Sequence, residues 1–192
     1  MTTIRKATQH DAVIIATYLL LAMEDIVYRF IGEEDSQKAR EFMTFFVKKD
    51  NTLYSYHHCW VVEVNTKIVA AVNVYDGARF KELQQPIVEY LQTLDHSNIP
   101  EEDETQAGEY YIDALGVDPD EQGKGFGTKL MKFVIDEFVQ KHNQPLGLLV
   151  DVDNLGAKKL YQTLGFQTCG RKVLFGKTME HMQIKGSVSL AS

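Results

Sequence analysis

The sequence predicts an α/β (α+β) fold in which strands and helices are interleaved. Two observations carry that expectation. Runs rich in β-branched and aromatic residues alternate along the chain with runs whose apolar residues recur at helical spacing. One strand-like run, "YYIDALGV" (110–117), is also joined to a helix-like run by "DEQGKGFGTKL" (120–130), which carries three glycines at alternate positions. A chain of 192 residues is long enough to bury a real core in one domain.

Taken in order, "TIRKA" reads as a short first strand. Thr8 and Asp11 form a capping box ahead of a helix whose Ala12, Ile15, Ala16, Leu19, Leu20, Met23 and Val27 share a face. "EEDSQKAREFMTFFVKKD" reads as a second helix, with Phe42, Phe45 and Phe46 on its apolar side. "HCWVVEV" (58–64) and "IVAAVNVY" (68–75) make a hairpin across Asn65-Thr66-Lys67. In the stretch 76–108, "PIVEYLQTL" suggests a short helix opening at Pro86, and "IPEEDETQAGE" reads as a polar, acidic loop. Residues 110–117 then form a strand buried on both faces. "FGTKLMKFVIDEFVQKH" is a helix with Leu130, Met131, Val134, Ile135 and Phe138 inward, and "PLGLLVDV" (145–152) is the next strand. "NLGAKKLYQTLGF" is a short helix ending at Gly165 in a left-handed cap position. "GRKVLFGKTME" supplies the closing strands.

Composition excludes several classes. Hydrophobic content of 44% and charge of 24% are ordinary globular values. No apolar stretch approaches the length of a membrane span, and the N-terminal residues do not form a secretory leader. A net charge of −7 argues against general nucleic-acid binding. Cys59 and Cys169 lie far apart and read as reduced thiols, which points to the cytoplasm. His57, His58 and Cys59 are consecutive, so on a strand they point to alternate faces, and no metal site is expected there.

The glycine loop needs a reason, because glycine at a helix start lowers stability. In a strand–loop–helix unit, backbone N–H groups point outward at a helix N-terminus that carries about half a positive charge, a ready site for phosphate. The loop is not G-x-G-x-x-G, nor G-x-x-x-x-G-K-[ST], so the two common nucleotide patterns fail on spacing. A plain structural turn is the competing reading.

Residues 117–127, with Gln122, Gly125 and Gly127 filling Q/R-x-x-G-x-G/A, resemble motif A of the GNAT superfamily of N-acetyltransferases. Residues 154–166 resemble its motif B, N-x-x-A-x-x-L-Y-x-x-x-G-F, and "IRKAT…DA" is similar to the family's opening. The resemblance covers most of the chain and is thinnest over 76–108, which reads as an insertion between strands within a single domain 1–192. It implies a GNAT-like mixed, strongly twisted central sheet flanked by helices, with central strands 110–117 and 145–152 splayed to hold acyl-CoA.

The implied activity is transfer of the acetyl group of acetyl-CoA, a cosubstrate, to a primary amine by direct attack on the thioester. The alternative is a CoA-binding sensor or interaction module of the same fold without turnover. The resemblance places Gln122, Gly123, Gly125, Phe126, Gly127 and Thr128 at the pyrophosphate, where Lys124 would add charge or else be a plain surface lysine. Asn154 would contact the pantetheine or pyrophosphate region, and Ala157 is a further cofactor contact. The backbone at Leu115 and Val117 would pair with the pantetheine amides, and an N–H there would polarise the thioester carbonyl.

Tyr161 matches the motif B tyrosine and would protonate the leaving thiolate, though its spacing also suits a core aromatic. Asn154 also suits a helix N-cap. Asp113, in mid-strand among apolar neighbours, is the candidate base, and is expected to share strand parity with Glu109, Tyr111, Leu115 and Val117. A hydrogen-bonding role or a water relay are the other readings of Asp113. The stretch 76–108 is expected to fold over the acceptor side of the cleft, with its apolar part anchored. Glu101, Glu102, Asp103 and Glu104 would remain solvated and could draw in a cationic acceptor. Relatives are often dimers, so a homodimer is a further expectation.

Overall fold

Beyond β1 (Thr2–Lys6), the Thr8–Asp11 capping box forms around a short 3-10 turn, Gln9–Asp11, that leads into α1 (Ala12–Ile31). The computed structural model describes residues 1–94 and 103–186. α2 (Ser36–Val47) is capped by the Asp35 side chain, which accepts from the N–H groups of Gln37 and Lys38. β2 (Cys59–Val64) and β3 (Lys67–Asp76) form the expected hairpin. Its turn is tighter than the sequence suggests: Asn65 and Thr66 alone make it, both at positive φ (47° and 71°), and Lys67 is already in strand. α3 (Phe80–Thr93) and β4 (Tyr110–Val117) follow. After α4 (Phe126–Val134) come β5 (Leu146–Asp151), α5 (Leu155–Thr163), β6 (Gln167–Leu174) and β7 (Lys177–Ile184).

The seven strands make one sheet in the order β1-β2-β3-β4-β5-β7-β6. Every neighbouring pair is antiparallel except β4 and β5, which run parallel. One face is covered by α1, α2 and α3, around a core that includes Ile15, Leu19, Phe46, Leu83 and Tyr111. The other carries α4 and α5, around Leu130, Val134, Phe166 and Met182. β4 therefore lies between two helical layers, as its apolar content predicts. The mixed, helix-flanked sheet read from the sequence is the observed architecture.

Three expectations are corrected. Pro86 does not open a helix: it sits inside α3, which starts six residues earlier at Phe80. An internal proline removes one helical hydrogen bond and costs about 3 kcal/mol. α3 tolerates it because Phe80, Leu83, Ile87 and Leu91 are all buried, and Tyr90 packs on Phe42 and Phe46 of α2. Phe45 is not interior: it is 44% exposed, lying between Tyr90 and the Lys49 ammonium. The helix expected after the glycine loop changes pitch, since Ile135–Lys141 form a π-helical turn.

Candidate active site

The parallel pairing of β4 with β5 is short. It joins Tyr110 to Leu146, Tyr111 to Gly147 and Ile112 to Leu148, and there it ends. β4 continues to Val117 still bonded to β3, and β5 continues to Asp151 still bonded to β7. Residues 113–117 and 149–151 thus form the two walls of a fork in the middle of the sheet. Backbone groups on the facing edges have no strand between them, which is the arrangement an extended, amide-bearing ligand can complete.

The glycine loop caps the open end of this fork. Asp118 starts it, held by Lys67 at 2.8 Å, by the Tyr18 hydroxyl at 3.3 Å and by the backbone N–H of Asp120. The Gln122 side chain donates to the Val117 carbonyl at 3.3 Å. Gly123 and Gly125 have φ of 77° and 83°, the left-handed region where a side chain is strained, and the space beside each is open. Gly127 is glycine for a different reason. A Cβ there would lie 3.3 Å from Val117 Cγ2 and 3.5 Å from Leu115 Cδ2, so the first turn of α4 rests directly on the end of β4.

Gly125 is the N-cap of α4 and offers no side-chain acceptor, so the first N–H groups of the helix, at Phe126, Gly127 and Thr128, are left for another partner. Lys124 pairs with Glu121 at 2.9 Å across exposed surface, a contact weak enough to exchange for a stronger anion.

On the same face of the sheet, Asn154 caps α5 by accepting from the Ala157 N–H at 3.0 Å, the local role its position predicts. Ala157 and Tyr161 both pack on the core of that face, and the Tyr161 ring meets Phe166 at 5.9 Å. The Tyr161 hydroxyl has no hydrogen-bond partner among the described residues. Burial raises its pKa, so it carries its proton at neutral pH.

Asp113 is not where strand alternation puts it. Asn73 pairs with Ala114 and Val74 with Ile112, so Asp113 is an extra residue, a β-bulge. The bulge resets the alternation. Leu115 and Val117 pack with the α4 layer, whereas Tyr111 and Ala114 pack with the α1 layer. The expected shared parity of Glu109, Tyr111 and Asp113 with Leu115 and Val117 therefore fails. Asp113 instead neighbours Tyr54, Tyr75 and Glu104 in the α1 layer, and burial pushes its carboxyl well above the usual range. Glu104 is a correction as well. It is half-buried rather than freely solvated, with its carboxyl against the Tyr111 hydroxyl, and the loss of water there raises it to about 7. Glu101 and Glu102 lie outside the described residues. Glu109 is also buried, held by His181, Gln183 and Thr105 beside Gly147.

The α1 side of the fork holds a cavity of about 400 Å³. Its walls come from the second half of α1, the end of β5 at Asp151 and the β6–β7 hairpin at Phe175. α1 is broken there, with Met23 at φ −140°, which sends Glu24, Asp25 and Arg29 along the rim. The sequence offers no glycine or proline at Met23 to announce this kink. It does offer a signal for another missed feature, Gly116 in mid-strand. A Cβ there would sit 1.9 Å from the Tyr18 carbonyl oxygen, so only glycine lets α1 lie this close to β4.

Among the described residues no cluster of three His, Cys, Asp or Glu side chains is suited to a metal ion. No helix among them is long and apolar enough to cross a membrane.

The family profile of the acetyltransferase (GNAT) family matches residues 20–166. The chain belongs to the GNAT family. A mycothiol acetyltransferase of Kocuria rhizophila is 42% identical over 65 residues, which is 34% of this chain and 21% of that protein. The Renibacterium salmoninarum counterpart is 44% identical over 59 residues, 31% of this chain and 17% of that protein. The aligned stretch therefore spans about a fifth of these curated relatives. The crystal structure of an N-acetyltransferase from Staphylococcus aureus Mu50 superposes with a TM-score of 0.83 at 21% identity, covering 95% of this chain and 100% of that one, a likeness of fold. Another acetyltransferase structure gives 0.79 at 27% identity over 95% and 98% of the two chains. In this GNAT chain the fork and the uncapped N-terminus of α4 thus stand together at the junction of β4 and β5.

Proposed function

We propose that this GNAT protein transfers the acetyl group of acetyl-CoA to a primary amine. The observation that carries the reading is the fork between β4 and β5, closed at its open end by a helix N-terminus with free N–H groups. The pantetheine would lie along the fork, its amides against the backbone at Leu115 and Val117. The diphosphate would take the N–H groups from Gln122 to Thr128, with Lys124 turning from Glu121 toward it. Asn154 and Ala157, at the start of α5, would flank the pantetheine.

Tyr161 and Asp113 lie in opposite layers, which suits their proposed roles. Tyr161, in the α4–α5 layer and protonated, would donate to the departing thiolate. Asp113, in the α1 layer, would belong to the group that takes the proton of the amine, and the cavity at Met23, Asp151 and Phe175 would seat the acceptor. Its carboxylates Glu24, Asp25 and Asp151 outnumber its cations Arg29 and Lys177 by one, and together with its apolar walls they favour a cationic amine with a hydrophobic body. The names of the relatives do not fix this acceptor. Two free cysteines, Cys59 buried and Cys169 exposed, are in keeping with a reducing, cytoplasmic setting.

The test is release of free thiol from acetyl-CoA with a panel of primary amines, alongside calorimetry of CoA binding. Amine-dependent thiol release and an acetylated product are expected. Tight CoA binding with no release for any amine would overturn transfer in favour of a CoA-binding module.

A further inference from the structure

The β-bulge places Asp113 at the first residue beyond the last β4–β5 pair, at the apex of the fork. Its Oδ2 is buried and has no hydrogen-bond partner among the described residues. What reaches it is a second carboxyl. Glu104, from the segment between α3 and β4, is held at the Tyr111 hydroxyl at 3.5 Å, and its carboxyl neighbours that of Asp113. Two neighbouring carboxylates repel when both are ionised, so burial favours a pair that keeps one proton between its members. The segment is fixed on both sides of Glu104. Asp103 pairs with Lys81 of α3 and accepts from the Lys172 ammonium of β6 at 2.8 Å, and Thr105 donates to Glu109 at 2.8 Å.

We propose that Glu104 and Asp113 act as one base, with Asp113 the inner member that keeps its proton and Glu104 the outer member that takes the proton of the acceptor ammonium. The proposal rests on the acetyl-transfer reading and adds to it a residue from outside the two sequence motifs. The groups around the pair favour this division. Among the described residues Asp113 neighbours Glu104, the Cys59 thiol and the rings of Tyr54, Tyr75 and Tyr111, none of them a cation that would stabilise its charge. Glu104 receives the Tyr111 hydroxyl at 3.5 Å, the Asp113 proton and the field of Lys172, all of which favour its ionised form against burial. In the step itself, the ammonium N–H bond breaks and its proton adds to the Glu104 carboxylate. The freed nitrogen lone pair then attacks the thioester carbon and the C–S bonding pair leaves on sulfur; the sulfur takes the Tyr161 proton, and the second proton lost by nitrogen makes that proton good. Glu104 returns its proton to solvent before the next cycle.

Two measurements test this. Carbon-13 NMR of labelled carboxyls in the wild-type protein should show Glu104 and Asp113 titrating as a linked pair, with one ionisation near 7. Independent titration of the two at ordinary carboxyl values would overturn the pair. The pH profile of kcat/KM in wild type should then rise through a limb near 7. Glu104→Gln should erase that limb and lower kcat roughly 100-fold, with KM for acetyl-CoA unchanged, and Glu104→Asp should restore part of it. A Glu104→Gln enzyme that keeps both limb and rate would overturn the role of Glu104. If wild type transfers no acetyl group to any amine, the parent reading fails instead, and the NMR titration still decides the pair.

Discussion

Raising the pH should destabilise this protein across a range where most proteins are near their optimum. In the folded state Glu104 holds its proton to about 7, against 4.5 ordinarily, and Asp113 is also raised, both by burial. In the unfolded chain both ionise near pH 4. The folded state therefore binds more protons between roughly pH 4.5 and 7, so its stability is greatest below that window and falls as pH rises through it. Moving one carboxyl from 4.5 to about 7 corresponds to about 3 kcal/mol, with Asp113 adding to the loss at higher pH. That is a sizeable part of a stability of about 5–15 kcal/mol, and for a chain of this size it amounts to roughly 10 °C in melting temperature. The assay is urea unfolding at pH 5 and pH 8 for wild type and Glu104→Gln. Other groups titrate too, so the quantity read is the difference between the two proteins. The variant should lose less stability by about 3 kcal/mol. Parallel pH profiles would refute the burial argument, and so would a wild type that gains stability relative to the variant as pH rises.

Three other outcomes follow from geometry already described. Gly125→Asp should weaken CoA binding by ten-fold or more by calorimetry, and Gly125→Asn, of the same shape without the charge, by less; equal affinity in all three proteins would remove the loop from the diphosphate. Tyr161→Phe should keep CoA affinity and lower kcat roughly ten-fold or more with the true acceptor, whereas an unchanged kcat would leave Tyr161 as a packing residue. Thr66→Gly should stabilise the fold by about 1 kcal/mol, because a β-branched residue now occupies a positive-φ turn position; a lower urea midpoint would contradict this.

Much of the fold was legible because local patterns agreed with tertiary structure. The spacing of Ala12, Ile15, Ala16 and Leu19 gave α1, and both motif helices begin where the glycine loop and Asn154 put them. What escaped was set by long-range packing. α3 runs through Pro86 because α2 supplies an apolar face, a compensation invisible from Pro86 itself. The bulge at Asp113 leaves no mark in "YIDAL", because any residue can be the extra one, yet it decides which layer the carboxyl enters. Glu104 sits in a run of four acidic residues that composition assigns to solvent, and only the fold reveals that one of them turns inward.

The short β4–β5 pairing also has a mechanical consequence. The sheet consists of two leaves, β1 to β4 and β5 to β7, whose ladders meet at only three rungs. In most sheets the central strands exchange their amide hydrogens last. Here the amides of 113–117 and 149–151 that face the gap lack a cross-strand acceptor, so exchange in the empty protein should proceed from the middle of the sheet as well as from its rim. A ligand lying in the gap would act as a missing strand, fastening the leaves together and closing that route. The angle between the leaves is then a coordinate that binding would stiffen.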